Sequence, residues 1–244
     1  DSFGLTHEGI PQSFKEKTLT TPFNDVEALE RAVKTYRQEL ACVILEPVLG
    51  AGGGIGAKKE FLKAAKETTE ANGIILIFDE VKTGFRLAPG GGQEVYGVKP
   101  DLACYAKALG AGFAIGAIAG KREILASALR AGTYAANPVA LAAAKATLTE
   151  LSSNGGSAYR HLYKIGKMLN DGLELAIQKT KVDMLIQGPG PIISWYFTKE
   201  KKIKDSRDFS EVDLAKGHEF VKQMIKRGIY AHHKENFFLS TAHT

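Results

Sequence analysis

The sequence has few cysteines and no long hydrophobic run, and each shortage excludes a class of protein. Only two of its 244 residues are cysteines, Cys42 and Cys104, and both lie inside apolar runs, where we expect small buried thiols and no disulfide framework. No apolar run approaches the ~18 residues of a membrane span, and the first residues lack a signal-peptide pattern. The sequence therefore predicts a protein of a reducing compartment, the cytoplasm, with no membrane partner.

A large excess of charge of either sign is also missing. The chain has 32 basic and 27 acidic residues, and the extra lysines lie mainly within residues 199–204 and 222–227. They are not interleaved with aromatic residues as in a nucleic-acid-binding stripe, and a solvated helix face explains them. We therefore expect no nucleic-acid partner. The 26 glycines cluster between apolar runs instead of repeating, which excludes collagen-like and disordered chains.

Short apolar runs alternate with helical patterns over the first two thirds of the chain. Residues 41–45 and 74–78 are β-branched runs too short for helices, and the periodic segment 58–71 between them predicts a helix. Strand, helix and strand at this spacing indicate a right-handed βαβ unit in a parallel sheet. Further strands are expected at residues 102–105 and 115–119. Helices are also predicted at about 25–40, 138–151, 157–180 and 211–227.

Residues 152–156, Ser-Ser-Asn-Gly-Gly, form the best domain boundary in the sequence. After them helices and strands follow a different order, with a strand pair split by residues 188–190 and a last short strand at 228–231. We therefore predict two domains. Residues 1–151 belong to an α/β domain with a mostly parallel sheet, and residues 152–244 form a smaller α+β domain.

A glycine-rich turn after the first strand permits two interpretations. Residues 52–57 fit the pattern G-x-G-x-x-A between a strand and a helix, and the next strand ends in Asp79, where a dinucleotide fold holds the ribose. This pattern favours an NAD(P)-dependent oxidoreductase. Against it, Glu46 and Pro47 lengthen the connection to a loop of about six residues. The alternative is that the glycines only let a long loop turn sharply.

Asp79 and Lys107 indicate a different chemistry. Asp79 and Glu80 end a predicted buried strand, and open α/β sheets bind ligands at the carboxyl ends of such strands. Lys107 follows the next strand, flanked by alanines, and we interpret it as a semi-buried amine whose desolvation favours the neutral, nucleophilic form. Pyridoxal 5'-phosphate (PLP) needs a lysine for its Schiff base and a carboxylate on its ring nitrogen. A lysine and an acid at two strand ends of one sheet suit that cofactor.

Several segments, in order along the chain, resemble the class III, fold-type I PLP-dependent aminotransferases. They are Ile77-Phe-Asp-Glu-Val-Lys-Thr-Gly-Phe-Arg86, Gly91-Gly-Gln93, Tyr96-Gly-Val-Lys-Pro-Asp-Leu102, Lys107-Ala-Leu-Gly110, Gly132-Thr-Tyr134, Asn137-Pro138 and Leu239-Ser-Thr-Ala-His-Thr244. Within that family the likeness is closest to the glutamate-1-semialdehyde 2,1-aminomutases and their aminotransferase relatives. The resemblance implies the fold-type I architecture, a large domain with a mostly parallel sheet and a smaller C-terminal α+β domain.

The resemblance also implies roles for individual residues. Lys107 would form the Schiff base with PLP and act as general acid and base between the substrate's α-carbon and the cofactor's C4′. Asp79 would pair with the pyridinium nitrogen, and Val81 would pack on one face of the ring. Thr133 would bind the cofactor phosphate across a dimer interface. Glu46, at another strand end, would approach the cofactor or support the fold through a hydrogen bond.

A substrate class and an assembly follow from the same resemblance. Glu235 corresponds to an active-site glutamate near the substrate of the aminomutases. The implied activity is amino-group transfer on a small amino-acid or amino-aldehyde substrate, between two molecules or within one. The implied assembly is a homodimer with shared active sites.

Members of this family are longer than 244 residues. They carry an N-terminal segment with a phosphate-binding turn and a stacking aromatic residue, and a C-terminal helix after the stretch that here ends at Thr244. We therefore expect a portion of a larger fold, and a catalytically incomplete fragment is the alternative function. No metal is expected, because His232 and His233 are adjacent and would point to opposite faces of a strand.

Overall fold

The computed structural model describes residues 9–128, 132–231 and 236–244. Helices and strands alternate along much of the chain. The helices are α1 (Gln12–Lys15), α2 (Val26–Tyr36), α3 (Lys59–Ala71), α4 (Gly91–Tyr96), α5 (Arg122–Ser127), α6 (Pro138–Ser152), α7 (Ser157–Thr180) and α8 (Leu214–Lys226). The strands are β1 (Cys42–Leu45), β2 (Val48–Leu49), β3 (Ile55–Gly56), β4 (Ile75–Asp79), β5 (Leu102–Tyr105), β6 (Ala117–Gly120), β7 (Leu185–Gln187), β8 (Ile192–Tyr196) and β9 (Asn236–Phe238). Two 3₁₀ turns lie at Lys107–Gly110 and Ser206–Glu211.

The main sheet has the strand order β1-β4-β5-β6. Strands β1, β4 and β5 are parallel, as the βαβ pattern predicts, and α3 packs on β4. The apolar face of α3 holds it there, since Leu62 and Ala65 are fully buried, as are Leu76 and Phe78 of β4. Because these three strands run the same way, their carboxyl ends share one edge of the sheet.

The outer strands of this sheet are β1 and β6, and β6 is its antiparallel member. Alternate side chains of β1 are exposed, including Cys42 and Ile44. The expectation of a buried Cys42 is wrong, because Cys42 and Ile44 point to the same face of β1, which the described residues leave uncovered. Cys104, on the inner strand β5, is half-buried, and both cysteines are free thiols.

The C-terminal part contains an antiparallel sheet of order β7-β8-β9. Every residue of β8 is buried: Trp195 packs against Phe220 of α8, and Tyr196 packs against Phe209. The strand predicted at residues 228–231 is wrong, because β9 instead supplies the partner that pairs with β8. The sheet and its helices agree with the predicted α+β character of this part.

The chain divides into two compact units. One comprises Val33–Val48 and Ala57–His161 and contains the main sheet. The other comprises Asp1–Ala32, Leu49–Gly56 and Leu162–Thr244 and contains the antiparallel sheet. The predicted domains along the sequence, 1–151 and 152–244, remain a prediction. In the described part of the chain, no helix combines the length and the hydrophobicity that a membrane crossing needs.

Candidate active site

Three predicted site residues follow the carboxyl ends of neighbouring parallel strands. Glu46 follows β1, Asp79 ends β4, and Lys107 begins the 3₁₀ turn just after β5. Asp79 pairs with Cys104 of β5 in the register of the sheet. The topology therefore brings Glu46, Asp79 and Lys107 to one edge of the sheet, where α/β folds bind their ligands.

Asp79 is half-buried, and the backbone orients its carboxylate. Oδ1 accepts a hydrogen bond from the Val81 N–H at 2.9 Å, the only hydrogen bond to this carboxylate from the described residues. Burial, and secondly the negative charge of Asp79, raise the pKa of Cys104, so this neighbour stays a neutral thiol at neutral pH. A carboxylate fixed in this way can accept a further hydrogen bond, such as that of a protonated ring nitrogen.

Glu80 has a different environment from its neighbour Asp79. Its side chain is fully buried, and its carboxylate accepts the N–H groups of Gly92 and Gln93, each at 2.8 Å, and the hydroxyl of Thr83. These donors offset the cost of burying the carboxylate, which organises the loop that follows β4. Of the two adjacent acids, Asp79 is the one suited to contact a ligand.

Lys107 is exposed, so the expectation of a semi-buried amine is wrong for this chain. The chain leaves the sheet at this point, and only the inner residues of the turn, Leu109 and Gly110, are buried. The backbone of Lys107 has a φ of 47°, a left-handed value that residues with a Cβ rarely adopt. Such a conformation persists where neighbouring structure enforces it, and α6 packs directly against this turn.

Two further predicted residues, Val81 and Glu46, are half-buried at the same strand ends. Val81 follows the acidic pair after β4, and its N–H group is the donor to Asp79. The predicted substrate residue Glu235 lies outside the described residues.

Thr133 lies in the turn that leads into α6, and its side chain is exposed. The next residue, Tyr134, lines a cavity of about 350 Å³ together with residues 114–116 and the start of α6. Neither Asp79 nor Lys107 lines this cavity, and no hydrogen bond given for the described residues joins Thr133 to them. In the described part of the chain, Glu46, Asp79 and Lys107 therefore lie at one edge of the sheet, and neither a hydrogen bond nor a shared cavity links Thr133 to Asp79 or Lys107.

Gln93 and Tyr105 belong to this sheet edge but were not selected from the sequence. The Gln93 Nε2 donates to the hydroxyl of Tyr105, the last residue of β5, at 2.5 Å. Burial, followed by the charge of Glu80, raises the pKa of Tyr105, which stays protonated at neutral pH. A signal for Gln93 was present in the Gly91-Gly-Gln93 segment, whereas nothing in the sequence indicated its partner.

Protein atoms lie close against the glycines of the turn at residues 52–54. Gly54, at φ +65°, lies so close to Ser194 that a Cβ would overlap that side chain, and its N–H donates to the Leu49 carbonyl at 2.9 Å. The Gly53 carbonyl accepts a hydrogen bond from Nε2 of Gln187 at 2.5 Å. The glycines thus allow a sharp turn and close packing, and this favours the structural interpretation over a dinucleotide site.

The described residues contain no group of three or more His, Cys, Asp or Glu side chains that could hold a metal ion. His232 and His233, at which no metal is expected, lie outside the described residues.

Comparisons with known proteins show the family and the fold of the chain. The profile of the class-III aminotransferases matches residues 3–241. The glutamate-1-semialdehyde 2,1-aminomutase of Thermodesulfovibrio yellowstonii is 38% identical over 244 residues, 97% of this chain and 56% of that protein. An omega-transaminase from Sphaerobacter thermophilus superposes with a TM-score of 0.88 at 30% identity, covering 97% of this chain and 55% of that one. The FumI protein of Sphingopyxis sp. MTA144, solved in its PLP internal aldimine form, gives a TM-score of 0.83 at 26% identity, with coverages of 97% and 55%.

The chain thus spans about half the length of the relatives it matches. The two superpositions each cover 97% of the chain and so include both the main sheet and the C-terminal part. The predicted fold-type I, α/β class is therefore confirmed, as is the resemblance on which it depended. The chain belongs to the class III aminotransferase family.

Proposed function

We propose that this chain supplies the lysine and the acid of a PLP-dependent enzyme that transfers an amino group. The observation that carries the proposal is the parallel pairing of β4 and β5, since Asp79 and Lys107 follow the same ends of these strands. The alternative acid, Glu80, is fully buried and accepts three hydrogen bonds from protein groups. Membership of the class III family supports the same pair of residues.

The donor set at the sheet edge fits PLP. An exposed amine at Lys107 is accessible to the aldehyde carbon of the cofactor, and the oriented carboxylate of Asp79 can accept the N–H of a pyridinium ring. Val81 adds an apolar side chain to contact the ring, and Thr133 would contact the phosphate from the second subunit. When bound, PLP withdraws electrons from the substrate's α-carbon and so makes its proton easier to remove.

Each residue then has a defined task. The Asp79 carboxylate would keep the ring nitrogen protonated and fix the orientation of the ring. The Lys107 Nζ would hold the cofactor in the resting enzyme and, once displaced by the substrate's amine, would carry the proton removed from the α-carbon. Glu46 would approach the cofactor or hold its own loop by a hydrogen bond.

The substrate class is a small amino acid or amino aldehyde, with Glu235 near it. The Thermodesulfovibrio relative is an aminomutase and the Sphaerobacter relative is an omega-transaminase, so the relatives include transfer within one molecule and between two. Because the chain spans only 56% of the aminomutase, a catalytically incomplete fragment of such an enzyme is the alternative.

The assembly proposed is a cytoplasmic homodimer with shared active sites. Exposed apolar side chains near Thr133 support a dimer, since Tyr134, Val139 and Leu141 are 86%, 58% and 47% exposed. The free thiols of the two cysteines support a reducing compartment.

Absorbance tests the proposed function directly. Protein supplied with PLP should show a band near ~420 nm, which borohydride abolishes while fixing the cofactor to Lys107. Lys107→Ala should lose both the band and the label. Lys63→Ala is the matched control, because Lys63 is an exposed lysine of α3, and it should keep both.

Asp79→Asn should weaken PLP binding, because an amide does not hold the ring nitrogen in its protonated form. Asp171→Asn, at an exposed position of α7, is the control and should bind PLP like the unchanged chain. Protein that stays colourless with PLP and carries no label would contradict the proposal and favour the incomplete fragment. Label on another lysine would contradict the assignment of Lys107.

A further inference from the structure

The first turn of α4 contacts the ends of three parallel strands. Gly92 packs against Pro47, which follows β1. The N–H groups of Gly92 and Gln93 reach the carboxylate of Glu80, which follows β4. The side chain of Gln93 reaches Tyr105, which ends β5. These are the three strand ends that carry the candidate active site.

The approach of α4 to the strand ends is close enough to require glycine. A Cβ on Gly91 would lie 2.6 Å from Glu80 Oε2, and one on Gly92 would lie 2.5 Å from the Cβ of Pro47. Any larger residue at either position would push α4 away from the sheet edge. The Gly91-Gly-Gln93 segment therefore combines two residues that allow contact with β1 and β4 and one that reaches β5.

The contacts of this turn are also held in place by their surroundings. Glu80 is fully buried, so the loop cannot release its carboxylate without leaving a buried charge unsatisfied. On the other side, the ring of Phe85 lies 5.2 Å from that of Tyr105, and a Cβ on Gly84 would lie 2.6 Å from the Tyr105 ring. Gln93 therefore forms hydrogen bonds with two groups, Glu80 and Tyr105, that are themselves held by their neighbours.

We propose that Gln93 is a positioning residue, which, anchored through Glu80, sets the spacing of the strand ends that carry the candidate acid and lysine. The inference rests on the proposed function, because the spacing matters when two groups act on one ligand. The hydrogen bonds of Gln93 go to Glu80 and Tyr105, and among the described residues none joins it to Asp79 or Lys107. Loss of its bond to Tyr105 frees the end of β5 to shift relative to β4, and a misplacement of ~1 Å can cost ~100-fold in rate.

Two variants, Gln93→Leu and Tyr105→Phe, remove the bridging hydrogen bond from opposite sides while keeping side-chain size. In protein without PLP, hydrogen exchange of residues 79–84 and 104–108 should quicken by about tenfold, with the rest of the chain unchanged. With PLP, the dissociation constant should rise about tenfold and the pH midpoint of the visible band should shift. The double variant should show the same exchange rates and the same PLP dissociation constant as either single variant, because both changes remove the same hydrogen bond.

Gln223→Leu is the matched control. Gln223 is a half-buried glutamine of α8 whose Nε2 also donates to a side-chain oxygen, that of Glu219, at 2.7 Å. Its replacement should change neither local exchange at the sheet edge nor the visible band.

Three outcomes would overturn the positioning role: unchanged exchange and titration in Gln93→Leu, faster exchange spread over the whole chain, or additive effects in the double variant. A failure of the proposed function is distinguishable from these. If the unchanged chain gives no band with PLP, the proposed function fails, while the exchange measurement on PLP-free protein still tests the bridge between α4 and β5.

Discussion

At the scale of single residues, burial and hydrogen bonding decide which side chains at the sheet edge can contact a ligand. Asp79 and Glu80 are adjacent carboxylates, yet one is half-buried with a single hydrogen bond and the other is fully buried with three. The fully buried acid cannot contact a ligand unless the protein around it moves. Asp79 accepts one hydrogen bond from the described residues, so its carboxylate can accept another from a ligand.

The left-handed backbone of Lys107 leads to a prediction about stability. At a φ of 47° a Cβ is crowded, so Lys107→Gly should be as stable as Lys107→Ala or more stable by about 1 kcal/mol. In the regular helix α3 the order should reverse, with Lys63→Ala more stable than Lys63→Gly by about 1 kcal/mol. Urea unfolding of the four variants measures both differences. A less stable glycine at both positions would contradict the left-handed conformation of Lys107.

At the scale of elements, α7 contains two glycines with opposite surroundings. A Cβ on Gly166 would lie 2.5 Å from the carbonyl oxygen of Gly190, so the helix packs directly on that loop. Gly172 has no atom within 4 Å of such a Cβ. One glycine is therefore needed for packing, and the other only lowers helix propensity.

The two glycines of α7 predict opposite effects of the same substitution. Gly166→Ala should lower the free energy of unfolding by about 1–3 kcal/mol through overpacking. Gly172→Ala should raise it by about 0.5–1 kcal/mol, because alanine favours the helix. Thermal or urea unfolding measures both, and effects of the same sign would show that α7 does not pack on the loop in this way.

Asp101 ties α3, β4 and the end of β6 together at the opposite edge of the main sheet. Its carboxylate accepts the Leu76 N–H at 2.8 Å, the Lys66 ammonium at 3.0 Å and the Lys121 ammonium at 2.8 Å. Burial by itself raises the pKa of Asp101, but these three hydrogen bonds outweigh it, so the pKa lies below its ordinary value. The charged carboxylate therefore stabilises the folded state.

Asp101→Asn should lower the free energy of unfolding by about 2 kcal/mol at pH 7. Since the pKa is depressed in the folded state, the stabilisation is complete above the unfolded value of about 4 and is lost as the pH falls through the folded value. The difference between the two proteins should thus shrink below about pH 4. Urea unfolding from pH 7 to pH 2.5 measures it, with Asp171→Asn as an exposed control that should cost at most ~0.5 kcal/mol. A difference that is constant with pH would contradict the assignment.

At the scale of the whole molecule, the proposed homodimer predicts different roles for two equally exposed tyrosines. Tyr134 and Tyr230 are 86% and 84% exposed, but only Tyr134 follows Thr133 and lines the cavity at the start of α6. Tyr134→Ser should raise the dimer dissociation constant by about tenfold, as expected for a tyrosine in an interface. Tyr230→Ser should leave it unchanged. Sedimentation over a range of protein concentrations measures both constants, and a monomeric unchanged chain or equal effects would contradict the proposed interface.

The patterns of the sequence determined most of the helices and the parallel strands. The helical period placed α2, α3, α6, α7 and α8, and short β-branched runs placed β1, β4 and β5, because these signals are local. The same runs indicated the strand ends that carry Asp79 and Lys107. Position along the chain and a parallel sheet are enough to bring these ends to one edge.

Only the tertiary structure decided what surrounds each of these residues. The sequence could not show that Glu80 is fully buried, that Lys107 is exposed, or that Gln93 bridges to Tyr105, because these properties depend on packing between segments. It also could not show that β9, and not residues 228–231, pairs with β8, since a strand is selected by its partner as well as by its own residues. Local period and composition determine elements, whereas burial and hydrogen bonding between distant segments determine which of their side chains can act.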